Sequence, residues 1–164
     1  MATSENLRSL EVDGDLIKIT VKLDPRQQVD RRIYVVPSVR DYMRDTLRGL
    51  PVTQMSEFPP RVQVLNLLKK FISGGRLYYG DGGEIRDLKP LEYDVWELKT
   101  ADMRLIGWFC MRDIFICTAI AEKFRLVENG LYGAYIQEAV RTRNEMKLDE
   151  PKSIEGGLEY VISV

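Results

Sequence analysis

The chain has 164 residues, 45% hydrophobic and 30% charged, with 24 Lys and Arg against 25 Asp and Glu. That length suits one domain with a substantial core, and no apolar run approaches the roughly eighteen residues of a membrane span. There is no His, which removes Ser-His-Asp and Cys-His catalysis and every nuclease mechanism that uses imidazole as acid or base. Any chemistry must rest on Arg, Lys, Tyr and carboxylates. The net charge of −1 also lacks the basic surplus usual for a nucleic-acid-binding domain.

In chain order, residues 1–14 read as a polar lead closing on the turn signal Asp13-Gly14. Met1 to Asn6 lack the basic-then-apolar pattern of a secretion signal, so the expected address is the cytoplasm. From Leu16 to Leu23 the pattern alternates: Ile17, Ile19, Val21 and Leu23 on one face, Lys18, Thr20 and Lys22 on the other, as in a half-buried strand. Asp24-Pro25 breaks it, and residues 32–36 form a second expected strand. Pro37-Ser38 followed by Asp41 predicts a helix with Ser38 as N-cap and an acidic first turn. Val39, Tyr42, Met43, Leu47 and Leu50 recur at helical spacing until Gly49 and Pro51 end the run. A second helix is expected from Pro59-Pro60 to Gly74-Gly75, with an apolar stripe of Val62, Leu65, Leu68 and Ile72 widened by Val64 and Phe71. Residues 79–83 read as a flexible turn and not a phosphate loop, because the Lys and the following helix are missing.

From Leu91 the period changes. Residues 93–99, 103–111 and 114–121 are short β-prone segments joined at residues 100–102 and at Arg112-Asp113, which predicts an antiparallel meander. The last segment is nearly all apolar, as expected of a strand covered on both faces. Trp96 and Trp108 are expected in the core. A hairpin at Arg112-Asp113 sets Cys110 opposite Phe115 and Cys117 opposite Trp108, so both thiols read as buried and unpaired. Without His partners they do not suggest zinc. A helix is expected over residues 131–146, with Tyr135 in its apolar stripe, and a short final strand over residues 158–164. Two helices before a meander and one after it give an α+β layout with an antiparallel sheet. The chain divides into N-terminal strands at 1–36 that extend the same sheet, a main domain at 37–147, and a tail at 148–164.

Five pieces in order carry a resemblance: Leu88-Lys89-Pro90; Trp96-Glu97-Leu98-Lys99; Met103-Arg104-Leu105-Ile106; the apolar segment 114–121 ending in Glu122-Lys123-Phe124-Arg125; and Glu138-Ala139-Val140-Arg141. Over residues 57–147 the chain resembles the RelE/HigB toxin superfamily, in particular its phage-derived toxin-like branch. The resemblance implies a RelE-like fold and a toxin of a toxin–antitoxin pair that cleaves messenger RNA on the ribosome without metal or cofactor. The implied partner is an antitoxin protein, expected to be of helix-turn-helix type. Such cleavage is attack of a ribose 2′-hydroxyl on the adjacent phosphate, which needs a cation, a base and an acid.

The resemblance assigns Arg104 to the phosphate, against the alternative of a strand Arg paired with a carboxylate. It assigns Lys123 and Arg125 to a basic cluster at the end of the apolar strand, where alternate positions on an extended chain share a face. The alternative is solvated charge. Tyr132 becomes a stacking or proton-transferring group. Glu97 becomes a base for the 2′-hydroxyl, or a structural partner of Arg104 or Lys99. Lys99, Arg141 and Arg143 become RNA contacts. From Arg76 to Lys147, however, eleven Lys and Arg face twelve Asp and Glu, which speaks for a second reading: a non-catalytic toxin-like domain that binds protein. An Arg104 that faces a groove should be replaceable by Ala with little loss of stability.

Overall fold

Thr3 opens the first helix, α1 (Ser4–Val12), with a reciprocal cap. The Asn6 amide donates to the Thr3 hydroxyl, and the Thr3 amide donates to the Asn6 side chain. Leu7 and Leu10 are its buried residues. The expected polar lead is therefore a helix; two leucines three apart are too sparse a pattern to announce it. These features come from a computed structural model that describes residues 1–163.

The alternation after Leu16 holds, with Ile17, Ile19, Val21 and Leu23 packed against the core and Lys18, Thr20 and Lys22 exposed. Its ladder is short. Strand β1 covers only Ile17–Lys18, antiparallel to β2 (Arg32–Val35), with one further bond from the Ile19 amide to the Ile33 carbonyl. Helix α2 (Pro37–Asp45) starts on a proline in its first turn, which suits a position whose N–H has no helical acceptor. Its N-cap is Val36 and carries no side-chain bond, so Ser38 is inside the first turn and is not the cap. A 3-10 turn at Leu47–Gly49 ends this segment.

Helix α3 (Pro60–Ile72) has the expected ends, but its buried face holds Gln63, Val64, Leu67, Leu68, Phe71 and Ile72. Leu65 is exposed. Apolar residues occur on more than half of this helix, and contact with the sheet decides which arc is inside.

The sheet then continues with β3 (Ile85–Asp87), β4 (Trp96–Lys99), β5 (Met103–Met111) and β6 (Ile114–Glu122). The order is β1-β2-β6-β5-β4-β3. The meander forms as expected, and the N-terminal strands belong to the same sheet. The sheet itself is mixed and not antiparallel throughout: β2 runs parallel to β6, from Arg32 opposite Ile114 to Val35 opposite Cys117. A parallel pair needs a long crossover, and two helices and three strands separate β2 from β6.

Register shifts fall at Ile106/Gly107 and Phe109/Met111. They set Phe109 opposite Phe115 and Trp108 opposite Ile116, so neither cysteine has the partner expected from a simple hairpin. Cys110 is the extra residue of a bulge, and a bulge cannot be read from alternation alone. The two thiols lie in different core clusters. Burial pushes each up to about 12.

Both faces of the sheet are covered. One packs Trp96, Leu98, Leu105, Phe109 and Phe115 against α2 and α3. The other packs Trp108 and Ile116 against Leu7 and Leu10 of α1. It also packs Ile106, Ala119 and Ala121 against Ile136 and Ala139 of α5 (Tyr132–Glu145) and against Leu126 of α4 (Lys123–Glu128). Trp96 and Trp108 are thus core residues of opposite faces. Tyr135 is only half-buried.

The tail ends in a helix, α6 (Leu158–Val161), and not in a strand; its Val161 packs under α3's side of the sheet. Val164, the last residue of that expected strand, lies outside the described residues. Among the described residues no helix is long and apolar enough to cross a membrane.

Candidate functional site

The registers of β3, β4 and β5 bring charge to one corner of the sheet. Arg86 pairs across to Glu97, and Lys99 to Arg104. Alternate positions on a strand share a face, so Glu97 and Lys99 point the same way, toward the α5 side. Opposite Arg104 on β6 stands Ala121, whose small side chain leaves room for long cationic ones.

Glu97 sits at the centre with 0% exposure. It accepts from Arg86 Nη2 at 2.7 Å and lies 4.0 Å from Arg104 Nε. Its second oxygen, Oε2, has no hydrogen-bond partner, and neither does Arg104 Nε. Arg86 also donates to Asp81 at 2.6 Å. Burial works against the charged Arg86, but Glu97 and Asp81 outweigh it and raise its pKa.

Arg104 is buried, and its Nη1 donates to the carbonyls of Thr100 (2.6 Å) and Met103 (2.8 Å), fastening the β4–β5 turn. Lys99 Nζ donates to the carbonyls of Gly80 (2.5 Å) and Asp81 (3.0 Å). Its pKa is lowered, first by burial and then by the charge of Arg86. Tyr132, in the first turn of α5, reaches this cluster from above; burial and then Glu97 raise its phenol pKa, with Arg104 opposing.

Two clefts flank the cluster. One, of about 350 Å³, is walled by Lys99, Thr100, Arg104 and Lys123, with Asp81 and Glu84 at its side. The other, of about 520 Å³, is walled by Arg86, Lys89, Leu91, Tyr132 and Ile136, and shares Asp81.

Five of the expected residues, Glu97, Lys99, Arg104, Lys123 and Tyr132, therefore meet at one place. Three do not. Arg125 is exposed and pairs with Glu122 at 3.4 Å. The chain turns helical at Lys123, so residues two apart stand about 200° apart and do not share a face. Arg141 is exposed and pairs with Glu145 at 3.5 Å. Arg143 is buried with its guanidinium 5.8 Å from the Trp108 ring centroid, a packing role and not an RNA contact. Burial lowers its pKa, against Asp94 and Glu150.

Arg86 and Asp81 were not anticipated. The run Glu84-Ile85-Arg86-Asp87 is too short to show alternation, and β3 exists because β4 offers it a partner.

Chemically, the corner offers Lys123, Lys99 and Arg104 to an anion, a carboxylate oxygen with an open lone pair, and a phenol held protonated. Those are the parts a phosphoryl reaction needs, although Arg104 is reached only through a cleft and Glu97 is fully buried and lines neither. Among the described residues no group of three His, Cys, Asp or Glu side chains is placed to hold a metal ion. Comparison with protein-family models, with curated proteins and with solved structures finds no match to this chain.

Proposed function

We propose that this chain is a RelE/HigB-like toxin that cleaves messenger RNA on the ribosome, held silent by a helix-turn-helix antitoxin. One observation carries the reading: of residues nominated from separate pieces of sequence, Lys99, Arg104 and Lys123 line one cleft and Tyr132 the neighbouring one, with Glu97 buried behind them against Arg86 and Arg104. In this reading Lys123 and Arg104 hold the non-bridging oxygens of the phosphate. The base is Glu97 Oε2, which is fully buried here and must be uncovered by the incoming strand; it then takes the proton of the 2′-hydroxyl as the 2′-oxygen bonds to phosphorus. Tyr132 gives its proton to the departing 5′-oxygen, leaving a cyclic 2′,3′-phosphate and a 5′-hydroxyl. The raised phenol pKa suits Tyr132 to the acid's role.

A second reading is supported by the burial of Glu97 and the backbone bonds of Arg104. Here the charges brace the β4–β5 turn, and the domain is a non-catalytic module that binds protein. Induced expression in a bacterial host separates the two. Growth arrest with cut messenger RNA, lost in Lys123→Ala and Tyr132→Phe, supports the nuclease. A soluble, folded wild type that neither arrests growth nor cuts RNA supports the module.

A further inference from the structure

Tyr79 is half exposed, yet it is not a loose side chain. Its ring meets Trp96 edge-on at 6.4 Å between centroids and 68° between planes. Its hydroxyl donates to Asp87, which is also the leading cause of its raised pKa. An aromatic ring pinned on one side and open on the other is a preorganised stacking surface.

The position of Tyr79 gives that surface a use. It lines the cleft of Arg86 and Tyr132, and it also lines a third cleft of about 490 Å³ walled by Arg76, Tyr78, Leu158 and Ile162. In that third cleft Tyr78 holds the Arg76 guanidinium 5.2 Å and the Lys70 ammonium 5.4 Å from its ring centroid. Asp81 lines both the cleft of Arg86 and Tyr132 and the cleft of Arg104 and Lys123. The three clefts therefore share walls, these two at Asp81, and the cleft of Arg86 and Tyr132 with the third at Tyr79.

Charge separates this groove from the rest of the surface. Seven Lys and Arg line it against three Asp and Glu, in a chain whose totals are 24 against 25. Four of the seven are held internally: Arg31 pairs with Asp113, Arg86 with Asp81 and Glu97, and Lys99 and Arg104 donate to backbone carbonyls, which leaves Arg76, Lys89 and Lys123. These border a path that mixes cations with exposed aromatic and aliphatic side chains, Leu91 among them. A cationic groove interleaved with aromatic rings is the chemistry that holds single-stranded nucleic acid without reading its sequence.

We propose that residues 76–91 form a track for single-stranded RNA, with Tyr79 as the platform for one unpaired base and Arg76 and Lys89 beside the backbone phosphates. The proposal rests on the RNA-directed reading of the corner at Glu97 and extends it. The strand bound there continues past Tyr79 into the third cleft.

The test is anisotropy of the full-length protein with a fluorescein-labelled, 2′-O-methylated ten-nucleotide strand at low salt, beside the same strand with abasic positions. The 2′-O-methyl groups block cleavage, so binding is read apart from catalysis. Wild type should bind the base-bearing strand more tightly. Tyr79→Ala should weaken that binding about tenfold while leaving the abasic strand's affinity unchanged, and Tyr79→Phe should behave as wild type, because stacking needs the ring and not the hydroxyl. Arg76→Gln should weaken both strands and flatten the salt dependence. Binding by Tyr79→Ala equal to wild type overturns the track. So does an equal loss on both strands, which would mean the ring acts through the fold. No binding of either strand by wild type also overturns it, including the case where this surface docks a protein. Growth arrest and RNA cleavage in the host report on the nuclease separately, so either idea can fail alone.

Discussion

Replacing Glu97 with Gln keeps the shape at the centre of the charged corner and removes its negative charge. Two guanidiniums then face a neutral amide, one at 2.7 Å and one at 4.0 Å. Breaking a buried pair by neutralising one partner costs about 3–5 kcal/mol. Arg86 is one-third exposed and is relieved by water, and Gln can still accept its hydrogen bond, so the lower end applies, about 3 kcal/mol. For a chain of this size that is a melting temperature lower by about 6–12 °C. Urea unfolding followed by fluorescence suits the measurement, because Trp96 stands on the same strand as Glu97. Pairing the change with Arg86→Met should recover part of the loss, since the second substitution removes one stranded charge. A Glu97→Gln protein within about 0.5 kcal/mol of wild type would refute the claim that this carboxylate holds the corner together.

Arg104→Ala should cost about 2–3 kcal/mol in the same titration, because its charged bonds to the Thr100 and Met103 carbonyls are part-buried and buried respectively; an unchanged midpoint would restore the groove-facing Arg that the sequence suggested. Lys123→Ala should stay within about 0.5 kcal/mol of wild type while abolishing RNA cleavage, and a large stability loss would move Lys123 from the cleft to the scaffold. Gly107→Ala places a methyl 1.8 Å from the Ile116 carbonyl oxygen, so a loss of about 3 kcal/mol is expected by calorimetry; a neutral result would mean the bulge relaxes. Both thiols rise from 9.0 to about 12 in the folded chain, so folding holds their protons. That stability is fully present below pH 9.0 and is lost as pH climbs toward about 12. The fall in melting temperature above pH 9.0 should flatten in Cys110→Ala/Cys117→Ala, and an identical slope would show that the thiols play no part.

The meander was legible because β5 and β6 are each nine residues long, mostly apolar and joined by tight turns. The α1 helix was not, since its evidence is one cap and two leucines. The three residues of β3 become a strand only by pairing with β4, and α6 took the place of a strand because Leu158 to Val161 close one turn under α3's layer. The site followed the same division. Glu97 and Lys99 were visible as alternate positions on a predicted strand, and Arg104 as the next strand's cation. Arg86 was hidden by the brevity of β3. Arg125 was misplaced because nothing in Glu122-Lys123-Phe124-Arg125 announces that the strand stops at Glu122 and a helix starts. Arg143 looked like surface charge until Trp108 was found beneath it.

The parallel seam between β2 and β6 bears on how the chain is made. Arg32 waits for Ile114 and Val35 for Cys117, so during synthesis β2 emerges some eighty residues, and the end of α3 some forty, before the strand that completes the seam. Until then β2 presents open amides and carbonyls, and Val39, Val64, Leu67 and Phe71 can cover only the β3–β5 part of the sheet. Contacts this far apart in sequence also slow the search, because the loop must close before the seam repays it. Nascent chains truncated before residue 117 should be the ones that need a chaperone.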